Sequence, residues 1–446
     1  MRRVGALRGE PTAPMFHRFR SAGGEHVLIV PYSRVYDLIP DAAEHFDRQS
    51  PERDALVEEL MLPAAGEVAL ADIVAPQAQS ISLNVSSSCN LSCSYCYAAR
   101  GGFDGAQAGP MTWQTAKAAI DALLARADPD APITIGFLGG EPFANRPLLH
   151  ACVHYGSEEG RRRALDVRFS VTTNGTLLRT EDIALMRAHR FAVTVSIDGG
   201  LEVQNRQRPA AGRKPIGSFE RLRLAIGPLL AEPGSTQIAA RATVTRSDFD
   251  LAQRFADILK LGFPEVGFAP LRMDKDAGEA LRDDDWPLYL EALKRVAASE
   301  IDGLRAGRPI RLTNLAIALK QIARGASSPY PCGAGGGYFS VAADGNWYAC
   351  HRAIGAPDFK MGDSSGLDET RRNAFLAERH VHAQAECRSC WARYLCSGAC
   401  HQEASKRNRS ACDFIRGWLE FCLGAYCELS TPLDRKPDQL PERNLQ

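Results

Sequence analysis

The sequence lacks an excess of either charge and lacks long apolar runs. It has 446 residues with 53 basic and 53 acidic side chains, so its formal net charge is zero. Proteins that bind nucleic acid or anionic membranes mainly through electrostatics carry a basic excess, and this balance argues against both classes. No apolar run approaches the roughly 18 residues that a membrane-spanning helix requires, so we expect neither partner.

A secretory signal is also missing from the first residues. Residues 1–8 are rich in arginine, but no apolar core of about 7–15 residues follows them. We therefore expect a cytoplasmic protein whose thiols stay reduced.

Cysteine, in contrast, is abundant. The chain has 13 cysteines, and an odd number excludes a chain that is fully paired in disulfides. In a reducing compartment, clustered cysteines bind metal or react more often than they form disulfides. The cysteines therefore predict metal centres.

Composition and periodicity divide the chain into five segments. They are an N-terminal extension (1–80), a partial barrel (81–272), a helical bridge (273–330), a cysteine-rich domain (331–430) and a mobile tail (431–446). The extension has a predicted strand over 26–30 and a helical pattern over 52–60. It resembles a shortened form of the small peptide-recognition domain of peptide-modifying enzymes, and a simple packing extension is the alternative.

Six short apolar runs alternate with longer amphipathic stretches in the second segment. Their β-branched and aromatic residues are typical of buried parallel strands. The predicted strands are 81–85, 133–138, 167–172, 191–197, 238–244 and 266–270. This alternation predicts an α/β fold, a partial (β/α)6 barrel, with catalytic residues on the loops at the C-terminal rim of the sheet. Asn205, Arg206 and Arg208, after the fourth strand, are expected to lie in a surface loop, and a position facing the substrate is the alternative.

The first cysteine cluster directly follows the first predicted strand. Cys89, Cys93 and Cys96 have the spacing C-x3-C-x2-C. Four-iron clusters normally take four cysteines, so three thiolates leave one iron without a protein ligand. An open metal position on the catalytic rim is a place where a small molecule can bind. A zinc knuckle is the alternative, but zinc motifs usually add a second cysteine pair or histidines.

The arrangement C-x3-C-x-aromatic-C after the first strand of a partial barrel is similar to the signature of the radical S-adenosylmethionine (SAM) enzymes. The resemblance implies a 4Fe–4S cluster on the three cysteines, with SAM on the open iron. One electron from the cluster would cleave SAM, and the resulting 5′-deoxyadenosyl radical would remove a hydrogen atom from an unactivated carbon of the substrate.

Further residues of this resemblance follow the later strands. Residues 139–142 read Gly-Gly-Glu-Pro and look like the family's motif for the methionine amino group, because glycines allow close backbone approach and a carboxylate suits an ammonium. Tyr95 would flank the adenine, and Arg241 would pair with the methionine carboxylate. The implied cofactor-binding residues are Tyr95, Gly139, Gly140, Glu141, Thr173, Asn174, Ser196 and Arg241.

The second cysteine region resembles the SPASM domain, which holds two auxiliary clusters in enzymes that modify peptides. Asp344-Gly345, between the apolar runs 339–341 and 347–348, predicts a β-hairpin beside this region. The resemblance implies a nearer cluster on Cys332, Cys350 and Cys400. It implies a farther cluster on Cys387, Cys390, Cys396 and Cys412. Three 4Fe–4S clusters and SAM are thus the expected cofactors.

Three cysteines remain, namely Cys152, Cys422 and Cys427. All three lie in apolar helical patterns and are expected in the core. The alternative that Cys422 or Cys427 replaces Cys412 as the last ligand stays open. The nearer cluster has no fourth cysteine, so it has either an open iron or a ligand that the spacing does not reveal.

His351 occupies a position of interest directly after Cys350. Related enzymes that oxidise a sulfatase residue carry an aspartate base there, whereas a neutral imidazole at His351 could accept a proton. Cys350-His351-Arg352 looks more like the enzymes that install carbon–sulfur or carbon–carbon crosslinks. Within that group, residues 87–98, the predicted hairpin and residues 411–419 resemble a maturation enzyme that joins cysteine sulfurs to side-chain carbons of Asp or Glu. The resemblance therefore implies a peptide maturase that forms such a thioether.

The alternatives within this class are a carbon–carbon crosslinking maturase and a sulfatase-type maturase. Outside it are an iron–sulfur electron carrier, which has no use for residues 139–141, and a zinc-stapled scaffold, which leaves six strand–helix units without a purpose. The expected partners are a ribosomally made peptide or small protein subunit as substrate, and a flavodoxin- or ferredoxin-type electron donor.

Overall fold

The structure, a computed structural model, describes residues 13–47, 50–61, 76–99, 102, 109–212, 215–271, 278–325, 327–403 and 408–430. The mobile tail predicted over 431–446 lies outside these ranges, as does the start of the N-terminal extension. Within the described ranges, no helix combines the length and the hydropathy needed to cross a bilayer.

The described residues divide into two units. The first unit lies within 1–73, 315–332 and 377–446, and the second lies within 74–314 and 333–376. The division of the chain into five segments stays a prediction.

Strands and helices are numbered here in chain order. The strands are β1 (Phe16–Ser21), β2 (Gly24–Ile29), β3 (Arg34–Leu38), β4 (Ser80–Ser86), β5 (Ile133–Gly139), β6 (Val167–Thr173), β7 (Phe191–Ser196), β8 (Gln237–Val244), β9 (Val266–Pro270), β10 (Tyr338–Val341), β11 (Trp347–Tyr348), β12 (Lys360–Asp363) and β13 (Gly366–Leu367). The helices are α1 (Pro40–Asp47), α2 (Pro51–Met61), α3 (Trp113–Arg126), α4 (Arg146–Arg163), α5 (Thr180–Ala188), α6 (Leu201–Gln207), α7 (Ser218–Ala231), α8 (Leu251–Lys260), α9 (Asp285–Arg305), α10 (Thr313–Arg324), α11 (Glu369–Arg379), α12 (Ala385–Arg388), α13 (Arg393–Cys396) and α14 (Arg409–Leu429).

The first unit contains a small antiparallel sheet with the order β1-β2-β3. The predicted strand over 26–30 overlaps β2, and the predicted helix over 52–60 is α2. The long C-terminal helix α14 lies against β1. The buried core that joins the sheet to α1 and α2 consists of Val27, Ile29, Phe46 and Val57. The resemblance of the N-terminal extension to a shortened peptide-recognition domain stays a prediction.

The second unit contains a ten-stranded sheet in the order β13-β12-β11-β10-β4-β5-β6-β7-β8-β9. Strands β4 to β9 are neighbours in chain order and run parallel to one another. They correspond to the six strands that the apolar runs predict. The α/β fold class with a partial barrel is therefore confirmed.

The predicted hairpin at Asp344-Gly345 is also present, as the antiparallel pair β10 and β11. Its position was not predicted: β10 pairs in parallel with β4, and Tyr338 lies opposite Ser80. The sequence pattern showed a hairpin but carried no information about which strand it would join. As a result, β11 and β12, which lie before and after Cys350 and His351 in the chain, belong to the same sheet as β4, the first barrel strand.

Strand β4 has an apolar row and a polar row. Its apolar side chains, Ile81, Leu83 and Val85, alternate with the polar side chains of Ser82, Asn84 and Ser86, and all six are buried. The apolar row is on the helix side of the sheet, because Ile81 pairs with Ile135, which lies against α4. The polar row therefore lies on the inner side of the barrel, where a polar ligand can be bound.

Candidate functional site

The loop that follows β4 carries the first three predicted metal ligands. We call residues 89–96 the Cys loop. Burial, assisted by the neighbouring thiolates of Cys93 and Cys96, raises the pKa of the Cys89 thiol to about 11. The structure thus brings the three thiols together on the C-terminal rim of the sheet. Several neighbouring, partly buried thiolates repel one another, and binding to a cationic metal centre relieves that cost.

A second loop pairs with the Cys loop across the rim. The backbone amide of Ser92 donates to the carbonyl of Pro209 at 2.8 Å, and the amide of Ala211 donates to the carbonyl of Asn90 at 2.9 Å. These two bonds tie the Cys loop to residues 208–211, which follow α6. The positions of the cysteines therefore depend on the strand before them and on a segment more than a hundred residues later.

The two glycines at the end of β5 bring that strand close to the end of β4. Gly139 has φ +138°, and a Cβ there would lie 2.4 Å from the Ser86 carbonyl oxygen. The amide of Gly140 donates to the Ser86 carbonyl at 2.8 Å, and the amide of Glu141 donates to the Ser88 carbonyl at 2.9 Å. The glycines therefore allow the end of β5 to lie directly against the backbone that leads into the Cys loop.

The Glu141 carboxylate is fully buried and has several donors. It accepts hydrogen bonds from the Thr173 hydroxyl at 2.6 Å, the Asn174 amide at 2.8 Å and the Phe143 amide at 3.2 Å. Burial raises the pKa of Glu141, and these hydrogen bonds oppose that shift. The carboxylate ties the end of β5 to the end of β6, and its contact with a methionine ammonium stays a prediction.

Asn174, one of the predicted cofactor-binding residues, contacts the Cys loop. Its side-chain nitrogen lies 2.9 Å from the Asn90 side-chain oxygen and 3.7 Å from the Cys89 sulfur. Its side-chain oxygen accepts from the backbone amide of Thr176 at 2.9 Å. In this structure the side-chain amide of Asn174 therefore positions the Cys loop.

Tyr95 and two residues that the sequence analysis did not select form a buried polar group. The Tyr95 hydroxyl donates to the Asp198 carboxylate, and Arg208 Nε donates to the same carboxylate at 3.2 Å. Arg208 Nη1 also lies 3.9 Å from the Cys93 sulfur. The prediction of a surface loop was wrong for Arg208, whose side chain is only 11% exposed. The residues around Arg208 in the sequence are polar, so the local sequence pattern did not indicate that this arginine is buried.

Ser196 and Arg241 lie side by side in the register of β7 and β8. The next register partner, on β9, is Gly267, and a Cβ on this glycine would lie 3.0 Å from the Arg241 guanidinium. The absent side chain leaves room for Arg241 to extend across β9. The two predicted cofactor-binding residues are thus neighbours, and their roles stay predictions.

Asn84, on the polar row of β4, is a residue that the sequence analysis missed. Its side chain is 1% exposed, and neither its oxygen nor its nitrogen has a hydrogen-bond partner among the described residues. It lies beside Gly139. A buried amide without partners is costly, by about 1–3 kcal/mol, so its place at the barrel rim fits a polar ligand that would supply them.

His351 is linked to the inner side of the barrel by Tyr338. The Tyr338 hydroxyl lies 2.9 Å from His351 Nδ1 and 2.7 Å from the Ser82 hydroxyl. Burial and the charge of Arg352 lower the pKa of His351 to about 4. The imidazole is therefore neutral at ordinary pH.

The structure also brings together the four cysteines predicted for the farther cluster. Burial and the thiolates of Cys387, Cys390 and Cys412 raise the pKa of Cys396 to about 11. All four belong to the first unit. Neither alternative last ligand is in this group: burial alone raises the pKa of Cys422, and Cys427 lies within 4.8 Å of His26 and Asp37.

The three cysteines predicted for the nearer cluster are divided between the units. Cys332 and Cys400 belong to the first unit, and Cys350 belongs to the second. Their assignment to one cluster stays a prediction from the sequence.

The chain is similar in sequence to one protein family model and to several known proteins. Residues 83–225 match the sequence model of the Radical SAM superfamily. A serine-type anaerobic sulfatase-maturating enzyme of Klebsiella aerogenes is 24% identical over 359 residues, which cover 74% of this chain and 81% of that enzyme. The uncharacterized protein MJ0907 of Methanocaldococcus jannaschii is 35% identical over 133 residues, and the match spans 30% of this chain and 43% of that protein.

Solved structures share the fold. Native anSMEcpe with bound AdoMet, that is SAM, has a TM-score of 0.67 at 19% identity and covers 78% of this chain and 98% of its own. Streptococcus suis SuiB bound to SAM has a TM-score of 0.53 at 13% identity and covers 90% of this chain and 98% of its own. Structures of anSMEcpe with the Cp18Cys peptide and of SuiB with its precursor peptide SuiA are similar to the chain as well.

Proposed function

We propose that this chain, a radical SAM enzyme, modifies a ribosomally made peptide or a small protein subunit. The observation that carries the proposal is the presence of two separate thiol groups, one on the Cys loop and one of four cysteines in the first unit. One radical SAM cluster needs only the first group. A second set of four thiols, one buried and three partly buried, indicates an auxiliary iron–sulfur centre. The peptide-bound neighbours with this fold point to a peptide substrate.

The three thiols of the Cys loop fit a 4Fe–4S cluster that leaves one iron open for SAM. When bound, the cluster and SAM supply a 5′-deoxyadenosyl radical that removes a hydrogen atom from an unactivated carbon. The chain's own residues shape the place where this happens. The hydrogen bonds of residues 139–141 hold the rim together, and the unpartnered amide of Asn84 offers a donor and an acceptor to the bound molecules.

The proposed auxiliary centres complete the set of three 4Fe–4S clusters. Cys387, Cys390, Cys396 and Cys412 are the proposed ligands of the farther cluster. Their grouping supports Cys412 over Cys422 and Cys427. Cys332, Cys350 and Cys400 are the proposed ligands of the nearer cluster, and a flavodoxin or ferredoxin is the proposed electron donor.

The proposed product is a thioether between a cysteine sulfur and a side-chain carbon of the substrate, such as that of Asp or Glu. Support comes from Cys350-His351-Arg352, which looks like the enzymes that install carbon–sulfur or carbon–carbon crosslinks. Within that group, residues 87–98, the hairpin of β10 and β11, and residues 411–419 resemble the maturation protein of quinohemoprotein amine dehydrogenase. Forming this bond removes a hydrogen atom from the carbon, and a proton and one electron from the thiol. His351 is a candidate acceptor for that proton, because it is neutral and half-buried, with Nδ1 2.9 Å from the Tyr338 hydroxyl at the inner side of the barrel. The four-thiol group holds the candidate acceptor for the electron.

A sulfatase-type maturase is the second candidate. The relative from Klebsiella aerogenes, similar over most of this chain, supports it. His351 in place of the expected aspartate argues against it.

The two candidates can be separated with precursor peptides encoded near this protein. The chain is reconstituted anaerobically with iron and sulfide, and then incubated with SAM, reductant and each peptide. A thioether removes two hydrogens, and the linked sulfur no longer reacts with iodoacetamide. A formylglycine product instead reacts with a hydrazide probe. A protein that binds little iron and forms no 5′-deoxyadenosine would overturn the whole proposal.

A further inference from the structure

A buried arginine contacts one of the three thiols on the Cys loop. Arg208 Nη1 lies 3.9 Å from the Cys93 sulfur, a long contact of the kind that N–H groups make with sulfur. On its other side, Arg208 Nε donates to the Asp198 carboxylate at 3.2 Å. The Asp198 side chain is fully buried and that of Arg208 is 11% exposed. The guanidinium therefore lies between a carboxylate and a predicted cluster ligand.

The same pair binds a second residue of the Cys loop. The Tyr95 hydroxyl donates to Asp198, and the Arg208 guanidinium carbon lies 5.6 Å from the centre of the Tyr95 ring. The backbone amide of Thr243 donates to the other Asp198 oxygen at 2.8 Å. Asp198 is thus fixed to β8, and the Cys loop is fixed to Asp198 through Tyr95.

The charge on Arg208 cannot be removed by deprotonation at any ordinary pH. In a buried site its field is screened less than in water, so it acts strongly on a charge that changes nearby. N–H donors and positive charge close to ligand sulfurs stabilise the more negative, reduced form of an iron–sulfur cluster. The negative charge on Asp198 acts in the opposite direction from a greater distance.

We propose that Arg208 is a positioning residue that holds Cys93 in place and raises the reduction potential of the cluster on the Cys loop, while Asp198 orients Arg208 and partly offsets its charge. This inference rests on the proposed function, because it requires a cluster on Cys89, Cys93 and Cys96. It concerns residues outside the cysteine motif and outside residues 139–142.

The test compares Arg208→Gln, Arg208→Lys and Asp198→Asn with the unchanged full-length chain, all reconstituted anaerobically. Arg206→Gln is the matched control, since Arg206 lies in the last turn of α6, two residues before Arg208, but is exposed and paired with Asp248 at 3.4 Å. The measurements are bound iron and the midpoint potential of the cluster in a redox titration followed by electron paramagnetic resonance. The cluster on the Cys loop is recognised as the one whose spectrum changes when SAM is added.

The expected shifts have opposite signs. Arg208→Gln should move the potential to more negative values, and Asp198→Asn should move it to more positive values. Arg208→Lys keeps the charge without the forked donor geometry, so its potential should lie between those of Arg208→Gln and the unchanged chain. Arg206→Gln should match the unchanged chain.

Two results would overturn the inference: unchanged potentials in both Arg208→Gln and Asp198→Asn with full iron, or shifts of the same sign in both. If Arg208→Gln binds no iron, the test rests on Asp198→Asn alone: a more positive cluster potential in that variant supports the inference, and an unchanged or more negative potential overturns it. Failure of the proposed function is separate, because the unchanged chain would then show no spectral response to SAM.

Discussion

The backbone amide of Gly140 donates to the carbonyl of Ser86 at 2.8 Å, three residues before Cys89. This bond joins the end of β5 to the end of β4, and the conformation of Gly139 makes it possible. The geometry of the Cys loop therefore begins in a contact between two neighbouring strands.

A Gly139→Ala substitution should disturb this contact. Its Cβ would lie 2.4 Å from the Ser86 carbonyl oxygen, at a φ of +138° that side chains rarely adopt. We expect a loss of about 1–3 kcal/mol in stability, together with lower iron content, measured by denaturant unfolding and iron analysis. Gly227→Ala is the control, because nothing lies within 4 Å of a Cβ there. Equal stability and iron content in the two variants would contradict the role of Gly139.

Glu141→Gln should weaken the rim without changing the size of the side chain. The two carboxylate oxygens have different donors: one accepts from the Thr173 hydroxyl and the Phe143 backbone amide, and the other accepts from the Asn174 backbone amide. The glutamine amide keeps one acceptor oxygen, but its NH2 group must face the donors of the other. A mismatched buried group of this kind costs about 1–3 kcal/mol. We expect about tenfold or greater loss of SAM affinity, measured by titration of the reconstituted protein. The exposed Glu202→Gln is the control, and wild-type affinity in Glu141→Gln would contradict the prediction.

The two thiol groups should be separable by substitution. Cys93→Ala should abolish 5′-deoxyadenosine formation while the iron of the first unit is retained. Cys396→Ala should keep at least some SAM cleavage but stop formation of modified peptide. Both follow from the separate grouping of the thiols around Cys89 and Cys396. Chromatography of the nucleoside and mass spectrometry of the peptide measure the two outcomes.

Buried Cys152 offers a control for this pair, since it lies in α4 and burial alone raises the pKa of its thiol. Cys152→Ala should bind the same iron as the unchanged chain. Modified peptide from Cys396→Ala would show that the four-thiol group has no part in the reaction.

The last ligand of the farther cluster can be tested directly. Cys412→Ala should lose iron, because Cys412 is beside Cys396. Cys422→Ala and Cys427→Ala should keep the full iron content, since neither thiol is in that group. Iron analysis and absorption spectra compare the three variants, and iron loss confined to Cys422→Ala or Cys427→Ala would reverse the assignment.

His351→Phe should separate SAM cleavage from product formation. A flat ring of somewhat larger size is kept, but the nitrogen that lies 2.9 Å from the Tyr338 hydroxyl is lost. We expect 5′-deoxyadenosine yields within about twofold of the unchanged chain and a fall of about 100-fold or more in modified peptide, in line with loss of a general base. Tyr338→Phe should give a smaller fall. His154→Gln, at an exposed position of α4, is the control, and normal product from His351→Phe would exclude the proposed role.

Part of the candidate site could be predicted from the sequence, because its residues are close together in the chain. The cysteines of the C-x3-C-x2-C motif meet because only a few residues separate them, so their spacing alone restricts their distances. The same holds for the turn at Asp344-Gly345 and for the buried strands, whose apolar runs are properties of single segments. These features set the fold class and predict the type of metal centre.

The contacts between distant segments were decided only by the tertiary structure. Burial of Arg208 beside Cys93, the donors around Glu141 and the pairing of β10 with β4 join residues far apart in the chain. A polar residue has the same local pattern whether it faces water or a buried carboxylate. The sequence therefore does not show which of the two environments the residue has, and only the folded structure does. Sequence alone determined which groups can bind iron, and the packing of the strands determined which charges surround them.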